Sequence, residues 1–223
     1  RKIGGVMLDL DGTLADTAKD LVAAVVAVCH HYGKEPPPYA TLRAEVSGGG
    51  RTMLWRALGL RPQDRDYRDA YQRVIAHYAR HPADRTAVFD GMDAVLRYLE
   101  NQRVPWCVVT NKPEALARLV MHGLELDQRA VATVATGTTA FNKPNGQPVR
   151  MAAHLLGVAA DRLVMVGDDH RDVIAAHAEG ARAIAAGWGY LAPGDDPSTW
   201  NPDAIVDSPA DLAAWFEAAS HQR

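Results

Sequence analysis

Short apolar runs alternating with alanine-rich stretches of helical period constrain this chain more than any other feature. Runs of Val, Ile and Leu without polar alternation describe strands buried on both faces, and such strands belong to parallel sheets whose crossovers are helices. Strands are expected at Gly5–Leu10, Val104–Thr110, Val131–Ala135, Leu163–Val166, Ala183–Ala186 and Ala204–Val206. Between them, Asp90-Gly91-Met92 opens a helix whose Met92, Val95, Leu96 and Leu99 share one face. Another helix is expected near Val149–Leu156, and a third over Arg171–Glu179, stopped by Gly180. The expected fold class is α/β, a Rossmann-like parallel sheet core flanked by helices.

Residues 16–85 break this rhythm. Leu21, Val25 and Val28 recur at helical spacing, as do Tyr67, Tyr71, Val74 and Tyr78, with no strand-like run among them. Pro36-Pro37-Pro38 and the Ser47-Gly48-Gly49-Gly50 loop divide the region into helical pieces. The expected organisation is a core of residues 1–15 and 86–223 with a helical cap domain, 16–85, inserted over the carboxyl edge of the sheet.

A net charge of -3, with basic residues scattered along the chain, gives no field that would favour nucleic acid. The longest apolar run, Leu21 to Cys29, is too short to span a bilayer, and the amino terminus lacks the order of a signal peptide. Neither nucleic acid nor membrane is expected as a partner. Cys29 and Cys107 show no metal-ligand spacing and read as buried free thiols of a reducing compartment, with a single disulfide between them as the alternative.

The chemistry is concentrated at the ends of the expected strands. In Leu8-Asp9-Leu10-Asp11-Gly12-Thr13 two carboxylates stand two residues apart at a strand terminus, where alternation sends them to one side. Gly12 permits a sharp exit from the sheet. Two anions so placed need a cation or a proton between them, which suits Mg²⁺ together with phosphate oxygens. A second acidic cluster, Val166-Gly167-Asp168-Asp169-His170-Arg171-Asp172, also follows an apolar run and precedes a helix. Its aspartates either cap that helix or bind metal; beside the first cluster, metal binding is the stronger reading for Asp168 and Asp172, and Asp169 reads as the cap. Thr110-Asn111 supplies a hydroxyl and an amide suited to phosphate oxygens, and Lys143 a point charge before a helix.

In this order the four motifs resemble the haloacid dehalogenase (HAD) superfamily of phosphohydrolases, over essentially the whole chain. The resemblance implies an enzyme, a phosphoric monoester hydrolase, with Asp9 as nucleophile forming an aspartyl-phosphate and Asp11 as general acid and base. It implies Thr110 and Lys143 as holders of the phosphoryl oxygens, and Mg²⁺ bound by Asp9, the Asp11 carbonyl and Asp168, with Asp172 close by. The helical insert, with Ser47-Gly48-Gly49-Gly50-Arg51, Phe89-Asp90-Gly91-Met92, Val108-Val109-Thr110-Asn111-Lys112-Pro113 and Gly189-Tyr190, resembles the C1-capped branch of phosphoglycolate phosphatases and N-acetylmuramic acid 6-phosphate phosphatases. Leu8 in place of the usual Phe and Gly146 in place of a common Pro are departures that touch no catalytic role. That branch implies a cytoplasmic monomer or homodimer acting on a small-molecule phosphate ester. Gly49 and Arg51 would then meet substrate, Arg51 by a bidentate contact to a carboxylate; a flexible turn with a solvated Arg51 is the alternative. A sugar phosphomutase of the same superfamily keeps both first-motif aspartates, and a phospho-acceptor module that does not turn over also places acids and a Lys on a parallel sheet.

Overall fold

Six of the apolar runs pair as parallel strands in the computed structural model, which describes residues 2–192 and 194–221. The strands are β1 (Gly5–Leu8), β4 (Trp106–Pro113), β5 (Thr133–Thr136), β6 (Leu163–Gly167), β7 (Arg182–Ala186) and β8 (Ala204–Val206). Their spatial order is β5-β4-β1-β6-β7-β8, so β1 is central and pairs with β4 on one side and β6 on the other. The α/β class expected above is the observed one. Val6 and Leu8 of β1 join one apolar layer and Met7 between them joins the other, the period-2 alternation of a sheet covered on both faces.

Helices α7 (Gln147–Leu156) and α8 (His170–Ala178) cover the face of Met7, contributing Val149, Ala152, Val173 and Ala176. Helices α5 (Met92–Asn101), α6 (Glu114–Gly123) and α9 (Pro209–His221) cover the other face. In α5 the expected stripe of Met92, Val95, Leu96 and Leu99 is buried. The same apolar layer continues without a break into the insert, through Val25 and Val28 of α1 (Ala18–His31), Leu54 of α3 (Gly49–Leu58) and Val74 of α4 (Tyr67–Arg80). A five-residue helix, α2 (Tyr39–Arg43), lies between α1 and α3. No described helix is long and apolar enough to cross a membrane.

Three expectations about local structure need correction. First, β1 stops at Leu8, so Asp9 and Asp11 lie beyond the strand and owe their placement to a turn rather than to strand alternation. Leu14 N–H donates to the Asp9 carbonyl, Ala15 N–H to Leu10, and Gly12 N–H to Ala15, with Gly12 at φ 89°. Second, the stretch Ser47–Arg51 is not an open loop. A 3₁₀ turn over Val46–Gly48 leads directly into α3, so Gly49, Gly50 and Arg51 form its first helical turn. Gly49 opens the turn at φ 72°, a conformation that favours glycine. Third, two short strands escaped notice. β2 (Ala15–Asp16) pairs antiparallel with β3 (Ala87–Val88), so both ends of the insert leave the core through one two-stranded ribbon. Asp20 reinforces it, accepting hydrogen bonds from the backbone N–H groups of Arg85 and Thr86 at 2.9 and 2.8 Å.

Candidate active site

All four motifs end at the carboxyl edge of the sheet, around a cavity of about 460 Å³ between the edge and the helical insert. Open parallel sheets bind ligands at this edge. The sheet side contributes Asp9, Asp11, Asn111, Lys112, Lys143 and Asp172 to the lining, and the insert contributes Gly49, Arg51, Tyr67, Tyr71 and Tyr78.

Asp9 follows β1 directly, and its Oδ1 accepts from Leu10 N–H at 2.7 Å and lies 3.1 Å from Lys143 Nζ. Both of these contacts fall on the same carboxylate oxygen of Asp9. Lys143 is buried; its Nζ donates to the Val109 carbonyl at 2.6 Å and forms ion pairs with Asp172 Oδ1 at 2.6 Å and Asp9 Oδ1 at 3.1 Å. Burial opposes its charge, but Asp172 and Asp9 outweigh burial and raise its pKa. Asn111 holds the segment that carries this lysine, donating from its amide to the Lys143 carbonyl at 2.8 Å and accepting from Lys143 N–H at 3.0 Å. Thr110 is buried, its hydroxyl accepts from Lys112 N–H at 3.2 Å, and among the described residues it does not line the cavity.

The acidic side of the site is Asp9, Asp168 and Asp172, each of which brings a carboxylate oxygen within 4.8 Å of the others. Asp168, just past β6, accepts from the Thr13 hydroxyl at 2.9 Å and from Tyr190 N–H at 2.7 Å. Two glycines make this close approach possible: a Cβ on Gly12 or on Gly189 would lie 2.2 Å from an Asp168 side-chain atom. Asp169 is the N-cap of α8, its side chain accepting from Arg171 N–H and its own N–H donating to Asp172, a reciprocal capping box. Asp169 also pairs with the Arg171 guanidinium, which reaches on to the Ser47 carbonyl of the insert at 2.7 Å.

Burial and the Asp9 charge push the Asp168 carboxyl far above its usual range, and burial pushes Asp172 up to about 7 despite Lys143. Such buried, mutually repelling oxygen donors fit a hard divalent cation. A carboxyl whose pKa is raised on folding binds protons more tightly in the native state, so its contribution to stability falls as pH rises from the unfolded to the folded pKa. The metal-free protein should therefore lose stability between pH 3.8 and about 7. Asp169 titrates below that window, because Arg171 outweighs burial and lowers its pKa. Thermal unfolding in EDTA across the window, repeated with excess Mg²⁺, should show a slope that the cation flattens; a flat or rising curve in EDTA would refute the assignment.

Asp11 shows what sequence reading missed. Its Oδ1 accepts from the Thr17 hydroxyl and from Lys112 Nζ at 2.8 Å. Lys112 is buried, and its ammonium sits 4.5 Å from the centre of the Tyr78 ring. A lysine at the polar end of a strand that begins Trp106-Cys107-Val108-Val109 is the available signal, but its partner lies 101 residues away. Tyr190 is the other omission: its hydroxyl donates to Asp16 at 2.7 Å and accepts from Ala18 N–H at 3.0 Å, while its backbone holds Asp168. Tyr190 thus ties the acidic cluster to the ribbon through which the insert leaves the core. Arg51 lies exposed on the rim, where it opposes the burial that pushes the Tyr67 phenol up.

A parallel sheet with order β5-β4-β1-β6-β7-β8 that brings an aspartate pair, a buried lysine and a second acidic cluster to one edge defines a hydrolase of the haloacid dehalogenase type. The chain belongs to that family: residues 6–186 match the model described as haloacid dehalogenase-like hydrolase. The chain is 40% identical over 214 residues to a phosphoglycolate phosphatase of Xanthomonas campestris, covering 94% of this chain and 96% of the relative. It is 33% identical over 211 residues to an N-acetylmuramic acid 6-phosphate phosphatase of Pseudomonas aeruginosa, covering 95% and 93%. A solved haloacid dehalogenase-like hydrolase from Streptococcus pneumoniae superposes with a TM-score of 0.82 at 20% identity, covering 96% of this chain and 98% of that one, a likeness of fold alone.

Proposed function

We propose that the protein is a Mg²⁺-dependent phosphatase of a sugar-sized, carboxylate-bearing phosphate monoester, with N-acetylmuramic acid 6-phosphate as the substrate of choice. The observation that carries the reaction is the juxtaposition of two differently held carboxylates. Asp9 has one oxygen held by Leu10 N–H and Lys143, while Asp11 is held by Thr17 and Lys112.

Asp9 attacks phosphorus, the ester P–O bond breaks, and Asp11 delivers its proton to the departing alkoxide. Asp11, now a carboxylate, takes a proton from water, whose oxygen attacks phosphorus; the Asp9–phosphorus bond breaks and inorganic phosphate leaves. Lys143 offsets the repulsion between Asp9 and the phosphate dianion. Asp9, the Asp11 carbonyl and Asp168 would hold Mg²⁺, with Asp172 beside them; the cation supplies charge neutralisation and orientation of a phosphoryl oxygen. Asn111 keeps Lys143 in register.

The cavity supports this choice of substrate class. Phosphoglycolate, a two-carbon acid, fills only a minor part of about 460 Å³, whereas a phosphorylated amino sugar with a lactyl ether suits it. Tyr67 and Tyr71 stack at 5.9 Å between ring centres and offer an apolar wall to a sugar face. Gly49, Gly50 and Arg51 present the amino-terminal turn of α3 to the cavity, a match for a carboxylate.

The test is inorganic phosphate release from N-acetylmuramic acid 6-phosphate and from 2-phosphoglycolate, each with Mg²⁺ and after EDTA. Release should be lost in EDTA and restored by Mg²⁺, with kcat/KM for the sugar ester higher by roughly tenfold or more, the scale on which a well-filled pocket discriminates. The reverse substrate order overturns the substrate. An isomerised sugar phosphate, or a single slow phosphorylation without turnover, overturns the phosphatase.

A further inference from the structure

Ser47 of the insert is docked on the core at two points. Its carbonyl accepts from Arg171 Nη2 at 2.7 Å, and its hydroxyl donates to the Tyr190 carbonyl at 3.4 Å. Both core residues also hold the acidic cluster. Tyr190 N–H donates to Asp168, and Arg171 is paired with Asp169, whose own N–H donates to Asp172. The Arg171 pairing is bidentate: Nε meets Asp169 Oδ1 at 2.7 Å and Nη2 meets Oδ2 at 2.6 Å. That fixes the plane of the guanidinium and leaves the second Nη2 proton for Ser47. The cap of α8 is complete without the guanidinium, since Asp169 accepts from Arg171 N–H. The contact with Ser47 thus serves neither that helix nor the sheet. What it fixes is the insert: Gly49, Gly50 and Arg51, just beyond Ser47, line the candidate active-site cavity, as does Arg171 itself. The Thr52 hydroxyl donates to the Glu45 carbonyl at 2.9 Å and braces this turn from within, so a displacement at Ser47 carries to Gly49.

We propose that Arg171 is a positioning residue that acts through the Ser47 carbonyl. It sets the Gly49–Arg51 turn against the acidic cluster, at the place where that turn meets the carboxylate of the leaving group. The inference rests on the carboxylate-bearing ester proposed above. A leaving group without a carboxylate, such as p-nitrophenol, makes no such demand on the turn. Lysine cannot take the place of Arg171, because a point charge does not hold both Asp169 oxygens and Ser47 in one plane.

The test measures kcat and KM for wild type, Arg171→Lys and Arg171→Met on two esters. One is p-nitrophenyl phosphate; the other is whichever of N-acetylmuramic acid 6-phosphate and 2-phosphoglycolate the wild type prefers. Backbone hydrogen exchange over residues 46–54 is followed in the same three proteins. In both variants the ratio of kcat/KM for the carboxylate ester to that for p-nitrophenyl phosphate should fall about tenfold, mainly through KM, the scale of one hydrogen bond to a charged group. Any effect of the Arg171 charge on Asp9 is common to both esters and leaves the ratio unchanged. Exchange over residues 46–54 should be faster in both variants. Arg171→Lys keeps a cation beside Asp169, so the comparison stands even where Arg171→Met is too unstable to assay. An unchanged ratio, or a ratio that Arg171→Lys restores, overturns the proposal. A wild type that turns over neither carboxylate ester overturns the substrate reading, and exchange over residues 46–54 then decides whether Arg171 holds the turn.

Discussion

Asp9→Asn lowers phosphate release by at least about 10⁴-fold, a loss of roughly 5.5 kcal/mol of transition-state stabilisation, and leaves the fold intact. The amide has almost no nucleophilicity toward phosphorus, and no other carboxylate replaces it: Asp168 is buried and held by Thr13 and Tyr190, and Asp172 is committed to Lys143 and to the cap of α8. Stability should change by no more than about 1 kcal/mol, because two effects oppose one another. The Asn oxygen still accepts from Leu10 N–H, and removal of the Asp9 charge relieves the repulsion that raises Asp168 and Asp172. Against this, Lys143 loses one of its two anionic partners. Single-turnover phosphate release and thermal unfolding of the same preparation check both halves. Residual activity above about one per cent of wild type would remove Asp9 from the role of nucleophile.

Lys143→Met is expected to damage stability as well as activity. Methionine approximates the length of the lysine stem, so the change tests charge more than volume. It leaves Asp172, buried at 2% exposure, without its cation and Asp9 without its neutralising partner. Removing one member of a buried pair costs about 3–5 kcal/mol, most of it the penalty of the charge left behind. The double variant Lys143→Met, Asp172→Asn removes that stranded charge, and its stability should exceed that of the single variant by about 1–3 kcal/mol. The loss in the single variant should also shrink as pH falls, since without Lys143 the Asp172 carboxyl takes up a proton more readily. Denaturant unfolding of the three proteins in EDTA measures the coupling. An additive double variant would mean that Lys143 and Asp172 do not stabilise one another. The activity of both variants should fall by about 10³-fold or more, as expected when charge stabilisation is lost at a phosphoryl group.

The central strands were legible because a strand buried on both faces leaves an uninterrupted apolar run, as in Val6-Met7-Leu8 and Val164-Met165-Val166. The boundaries were less so. Leu10 is as buried as Leu8, and hydrophobicity does not record that the chain has already turned at Asp9. The ribbon of Ala15–Asp16 with Ala87–Val88 was illegible, since two residues are too few to show a period and each strand needs a partner from the other end of the insert. The Ser47–Arg51 stretch reads as a loop because its glycines punctuate helical sequence, whereas in the structure Gly49 and Gly50 open α3, Gly49 at φ 72°.

Local order thus determined what this protein is made of: the alternation of strand and helix, the Asp169 cap of α8, and the presence of acids and a lysine at strand ends. Those features depend on neighbours a few residues apart, and a linear text records them. Only the tertiary structure decided which charges meet. Lys143 lies between Asp9 and Asp172, Lys112 holds Asp11, and Tyr190 binds both Asp16 and Asp168, because β5, β4, β1, β6 and β7 are neighbours in that order in the sheet. Strand order is set by the burial of whole faces against helices and not by the residues at the strand ends, so the chemistry at the edge follows from packing far below it.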